Sequence, residues 1–278
     1  MDNIDSGNRD CLGRWKALII SLEDAVDRRD QIVPQLERAG ISHVTINAVD
    51  GRKGVSADIE AQCDRDLMRR KLGRELADTE IACVFSHRKA LEYILVNDLP
   101  GALVLEDDTV WSDEATSLLK SINPGEFDFL QLDYGWAEFW RFSANKKIGD
   151  TDLLVRRLSR NAGLANSYLV SNRAAKHILS ASHPVSLPAD WPCDLRPLRP
   201  YAVVPRVCAQ ALAGGTPSYI SKSRTEAKIK QKKRGRSGLF MRMLAPANKN
   251  ITRNPPPPIP LFLYRFLTYR IQPNRELN

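Results

Sequence analysis

Glu106, Asp107 and Asp108 stand side by side in the stretch "GALVLEDDTVW" (residues 101–111), directly after the apolar run 102–105. Three adjacent carboxylates repel one another, and a divalent cation among their oxygens offsets that repulsion. Mg2+ and Mn2+ prefer oxygen ligands and commonly keep coordination positions open for substrate phosphates. The triplet therefore reads as a metal site that holds a diphosphate. The same letters also fit two exposed acids and one turn cap, and nucleotidyltransferases and phosphohydrolases place acids at strand ends too.

Other residues fall where a nucleotide would lie. Arg28 and Arg29 follow the first apolar run, and guanidinium forks pair well with phosphate; either is equally a solvated helix charge. Asp50, in "NAVDG", closes the next run, where it can meet a ligand or only its own turn. Ser86 and His87 are adjacent on one segment. The imidazole suits proton transfer, and a packed polar pair orienting the acidic loop is the competing role. Glu80 is read as structural, and Cys83 faces the core as often as not.

The elements that must position these groups follow from periodicity. "WKALIISL" (15–22) is a buried strand. Residues 24–40 form a helix, with Asp24 as its cap, Gly40 as its stop and a bend or early start imposed by Pro34. Residues 42–51 are a second strand, and 76–97 a long helix capped near Thr79. Residues 102–111, 127–134, 152–158 and 167–171 are further strands, and 172–182 a further helix. Strand–helix–strand order implies a parallel sheet with right-handed crossovers. Beyond Pro184 the chain is proline-rich and is expected to run as extended loop.

Composition narrows the class. The chain has 278 residues, 43% of them hydrophobic, enough for a sizeable core. Five cysteines (Cys11, Cys63, Cys83, Cys193, Cys208) without a CxxC pair argue for reduced thiols in a cytosolic protein, against a disulfide framework and against a zinc site. The polar start implies no secretory leader, and no apolar run is long enough to span a membrane. The net charge of +8 is uneven: residues 220–278 hold fourteen Lys or Arg against two acids, +12, which leaves −4 for the rest. Such a segment seeks phosphate-bearing partners.

Several motifs in series resemble glycosyltransferase family 25, the lipooligosaccharide galactosyltransferases and their relatives. They are "IISLEDAVDRRDQIVPQLERAGI", "NAVDG", "TEIACVFSHRKAL", "LVLEDDTVW", "SYLVSNRAAKHIL", "LPAD", "VCAQ" and "PSYI", covering about residues 15–245. The resemblance implies an α/β, GT-A-like fold: a Rossmann-type, mostly parallel sheet flanked by helices. It implies a 1–14 extension, a 15–221 transferase domain and a basic 222–278 tail. It further implies inverting transfer of a hexose, galactose from UDP-galactose foremost, to a lipooligosaccharide or lipopolysaccharide core sugar, with Mn2+ or Mg2+ as cofactor. Ser21, Arg28, Arg29, Asp50, Ser86, Glu106, Asp107, Gln210 and Ser218 would line the donor pocket, and Asp108 with Glu106 would hold the metal. Asp190 matches the family's candidate base, with Asp194 as its rival and His87 as a further site residue. Trp191 is placed to stack on a sugar.

The basic, aromatic-rich tail is read as a contact with the anionic inner face of the cytoplasmic membrane, where a lipid-linked oligosaccharide acceptor would sit. A solvated tail is the alternative. No nucleic-acid partner is expected, because no recognised nucleic-acid fold accompanies the charge. Two other functions compete: a degenerate transferase domain kept as a membrane scaffold, and a nucleotidyltransferase.

Overall fold

The computed structural model describes residues 13–190, 192–211 and 267–272. In chain order the elements are β1 (Lys16–Ser21), α1 (Val26–Arg38), β2 (His43–Asn47), α2 (Ala57–Glu60), α3 (Arg65–Leu72), α4 (Asp78–Val96), β3 (Gly101–Glu106), β4 (Thr109–Trp111) and α5 (Asp113–Ser121). There follow β5 (Phe129–Gln131), β6 (Ala137–Trp140), β7 (Lys146–Lys147), β8 (Leu154–Arg157), β9 (Ser167–Ser171), α6 (Asn172–Ala181), β10 (Tyr201–Val204), β11 (Cys208–Gln210) and β12 (Thr268–Ile271).

Eight strands make one sheet in the order β2-β1-β3-β9-β5-β10-β8-β7. The pairings make β9 and β8 antiparallel to the rest, so the sheet is mostly parallel in direction. Each strand alternates sides. In β3, Leu103 and Leu105 enter the layer under α1 and α5, while Ala102 and Val104 enter the layer under α4 and α6. A strand buried on both faces must read as a continuous apolar run, as residues 102–105 do. Burying Leu103, Val104 and Leu105 contributes on the order of 2 kcal/mol each. That offsets a carboxylate repulsion of about 4 kcal/mol per close pair at surface-like dielectric, so the sheet can hold the acids together.

Several details depart from the expectations. The proline-rich stretch supplies β10, deep in the sheet between β5 and β8, and β11, which pairs with β4. Pro200 and Pro205 flank β10 rather than interrupt it, so its N–H groups remain available to the ladder. Pro34 sits inside α1. The long helix is capped at Ala77, whose N–H donates to the Glu80 carboxylate at 3.0 Å, rather than at Thr79. From the stretch read as a tail, Thr268–Ile271 pair antiparallel with β6. Among the described residues, no helix is long and apolar enough to cross a membrane.

Candidate active site

The strands β2, β1 and β3 end side by side, at Asn47, Ser21 and Glu106. Asp107 and Asp108 form the turn from β3 into β4, and this turn is pinned from several directions. The Asp107 N–H donates to Ile20 O at 3.1 Å, and the Thr109 hydroxyl donates to Glu106 O at 2.7 Å. The register of β11 on β4 sets Gln210 opposite Thr109, and the Ala211 N–H donates to Asp108 O at 2.7 Å. Beyond the strand ends opens a cleft of about 330 Å³, lined among others by Ser21, Arg28, Asp50, Glu106, Asp107 and Asp108.

The three carboxylates have different surroundings. Asp107 accepts from the Ser21 hydroxyl at 2.7 Å and from Arg28 Nη1 at 3.2 Å. Asp108 accepts from Gln210 Nε2 at 3.1 Å through Oδ2, with Arg28 at 3.8 Å. Its Oδ1 is buried and has no hydrogen-bond partner among the described residues. Burial, the Glu106 charge and the Asp107 charge push the Asp108 carboxyl up to about 7, against Gln210 and Arg28, which lower it. A buried, unpartnered carboxylate oxygen beside a second acid is costly by itself and suits a divalent cation, so these residues fit the expected metal.

The remaining expected residues divide by role. Arg28 lines the cleft, but Arg29 turns inward: it donates to the Ser21 hydroxyl at 2.9 Å and to Glu23 O at 2.9 Å, clamping the β1–α1 turn. Asp50 lines the cleft with its carboxylate engaged by Arg52, which also reaches Asp24 at 2.7 Å; that guanidinium holds Asp50 below the usual carboxylate range. Ser86 accepts the Val49 N–H at 2.9 Å and donates to Ala82 O at 2.7 Å, tying α4 to the end of β2. Gly51 completes that junction, since a Cβ there would lie 2.6 Å from Asp78 O. His87 is buried, with Nε2 3.2 Å from Glu106 Oε1 and Nδ1 3.0 Å from the Tyr168 hydroxyl.

Asp190 and Asp194 fall in different surroundings. Asp190 lines a small cavity of about 30 Å³ that also touches His87 and Tyr168. Asp194 accepts from Arg196 through both oxygens, at 2.9 and 2.6 Å. Burial alone would raise its carboxyl, but Arg196 and its backbone N–H hold it below the ordinary value. Neither aspartate lines the larger cleft. Ser218 and Trp191 lie outside the described residues, as does most of the basic tail. Sequence reasoning missed Tyr168 and Arg52 as partners and left Cys83 open between the core and another setting; its Sγ lies 3.9 Å from Glu106 Oε1. The four-residue spacing of Cys83 and His87, which puts them on one helix face, was the available signal.

A mostly parallel sheet with a carboxylate-bearing cleft beyond its strand ends defines an α/β enzyme of the kind that binds ligands at those ends. The chain belongs to glycosyltransferase family 25 (LPS biosynthesis protein), whose model matches residues 15–192. It is also similar to lipooligosaccharide biosynthesis protein lic2B of Haemophilus influenzae, 26% identical over 206 residues that cover 69% of this chain and 74% of that protein. The sheet and its flanking helices are consistent with a GT-A-like fold. The match contains the acids, Arg28, His87 and Asp190; Asp194, Gln210 and Ser218 lie beyond it.

Proposed function

We propose that this glycosyltransferase transfers galactose from UDP-galactose, with inversion, to a core sugar of lipooligosaccharide or lipopolysaccharide, in a metal-dependent reaction. The observation that carries the proposal is the strand-end acid turn, with the buried Asp108 Oδ1 unpartnered among the described residues and Arg28 beside it. Asp108 and Glu106 would hold Mn2+ or Mg2+, which supplies Lewis-acid stabilisation of charge on the departing diphosphate. The name of the lic2B relative supports the class of acceptor.

The chain's own groups then have these parts. Arg28 lies against the acid turn and offers a guanidinium to the diphosphate. Asp50, fixed by Arg52, orients the ribose or base. Gln210 and Ser21 hold Asp108 and Asp107 in place, so the polar groups are set before the donor arrives. The acceptor hydroxyl oxygen forms its bond to the anomeric carbon as the bond from that carbon to the UDP oxygen breaks. The electron pair leaves with UDP, and the hydroxyl proton passes to a carboxylate base. Asp190 takes that role in preference to Asp194, whose two oxygens are committed to Arg196. The basic tail would bring the enzyme to the anionic inner face of the cytoplasmic membrane, where a lipid-linked acceptor lies.

The test is UDP release from a panel of UDP-hexoses with purified core oligosaccharide, with Mn2+ or with excess chelator. Release is expected with UDP-galactose and metal, and Asp108→Ala is expected to lower it about a thousandfold or more. Full activity in Asp108→Ala or in chelator overturns the metal assignment.

A further inference from the structure

At the rim of the cleft a second donor set faces the acids. Cys83 and His87 project from one face of α4 toward the end of β3, where Glu106 meets them. One ligand atom from each of the three lies within 4.8 Å of the others. Individually, Cys83 Sγ is 3.9 Å and His87 Nε2 3.2 Å from Glu106 Oε1. Around a tetrahedral Zn2+, with bonds of about 2.3 Å to sulfur and about 2.0–2.1 Å to nitrogen or oxygen, such donors stand roughly 3.3–3.6 Å apart. The three atoms are therefore within a few tenths of an ångström of that spacing for the two measured pairs.

A second observation bears on the same ring. His87 Nδ1 is 3.0 Å from the hydroxyl of Tyr168, which is itself buried. A metal-ligating histidine characteristically uses its other nitrogen in this way, and the contact fixes which nitrogen faces the ion. Cys83, His87 and Glu106 all line the cleft, so a fourth coordination position opens onto it. Asp107 and Asp108 line the same cleft next to the set.

We propose that Cys83, His87 and Glu106 form a site for a borderline-soft divalent cation of the Zn2+ type, separate from the oxygen-lined position at Asp108. A thiolate, an imidazole and a carboxylate select Zn2+ over Mg2+ or Mn2+, which favour oxygen. The absence of a CxxC pair excludes the common four-cysteine patterns but not a site with one sulfur. The two positions share Glu106, so a Zn2+ ion at the first draws that carboxylate away from the second. The proposal does not depend on which sugar is transferred.

The experiment uses the full chain, stripped of metal and kept reduced, titrated with Co2+ as a spectroscopic stand-in for Zn2+. One equivalent is expected to produce a thiolate-to-Co2+ charge-transfer band that Zn2+ then abolishes by displacement. Cys83→Ser is expected to lose the band and to weaken Zn2+ binding at least about tenfold. Glu106→Gln, a change at the cleft surface, is expected to weaken Co2+ binding by a similar factor should Cys83→Ser fail to fold. Cys63→Ser and Asp108→Asn are expected to keep the band, the second separating this site from the diphosphate site. Absence of the band in the unaltered chain, or its survival in Cys83→Ser, overturns the proposal, and loss of the band in Asp108→Asn shows a single mixed site instead.

Discussion

Replacing Asp108 by Asn should make the metal-free protein more stable while destroying the site that the aspartate serves. Asp108 keeps its proton in the folded protein up to about 7, against an ordinary value of 3.8. Burial contributes most and the Glu106 charge next. Between those two values the folded state binds more protons than the unfolded one, so stability falls as pH rises. Above about 7 the whole penalty is present; below about 4 none of it is. The displacement corresponds to roughly 4 kcal/mol at 1.36 kcal/mol per pKa unit. Because the acids share the interaction and relax around it, about 2 kcal/mol of that should be recoverable. Asn keeps the shape and an oxygen to accept from Gln210, and its amide can donate to neighbouring carboxylates. Urea denaturation in excess chelator, at pH 4.5 and pH 8, measures the effect. The expected outcome is a small difference at the acid end and a gain of about 2 kcal/mol at pH 8, several degrees in Tm for a domain of this size. Equal stabilities at pH 8, or a gain of the same size at both pH values, would refute the view that a forced charge at Asp108 burdens the fold. The same variant should lose Mn2+-dependent UDP binding in calorimetry.

Two further perturbations separate ligand contacts from scaffold contacts. Arg28→Ala should weaken UDP binding about tenfold or more in a calorimetric titration, through loss of a charge-assisted contact. Arg29→Ala should instead lower unfolding stability by about 1–3 kcal/mol, since Leu22 and Glu23 carbonyls and the Ser21 hydroxyl lose their donor. Reversal of those two effects would show that the clamp and the phosphate contact have been exchanged. Gly51→Ala should lower Tm by an amount equivalent to about 1–3 kcal/mol, because the new methyl meets backbone atoms of α4 rather than a side chain that can swing aside; an unchanged Tm would deny the close approach.

How much of this was legible in the sequence depended on locality. The strands β1, β3 and β9, and the helices α4 and α6, announce themselves through unbroken apolar runs or wide apolar faces, and β1, β3 and α4 supply Ser21, Glu106 and His87 to the cleft. The strands β10 and β11 do not. Each has four residues or fewer, its neighbourhood is rich in proline, and its pairing depends on strands far away in the chain. Helix α3 is equally opaque: "RDLMRRKL" buries only Met68 and Leu72, too few positions to set a period. At the site, the acids were visible because three carboxylates after an apolar run demand a reason. The different fates of Arg28 and Arg29 were not, since adjacent residues on a helix diverge by about 100° and only the tertiary fold decides which one meets the ligand. Tyr168 was hidden because its partner lies 81 positions away.

The return of the chain at β12 changes how the basic stretch before it should be pictured. Between residues 212 and 266 there are twelve Lys or Arg and one acid. One end of that span leaves from the Ala211 contact with Asp108, and the other rejoins the body at Thr268 on β6. Both anchors belong to the described fold, Ala211 against the acid turn and Thr268 on β6, and the first is a single residue from the glutamine that donates to Asp108.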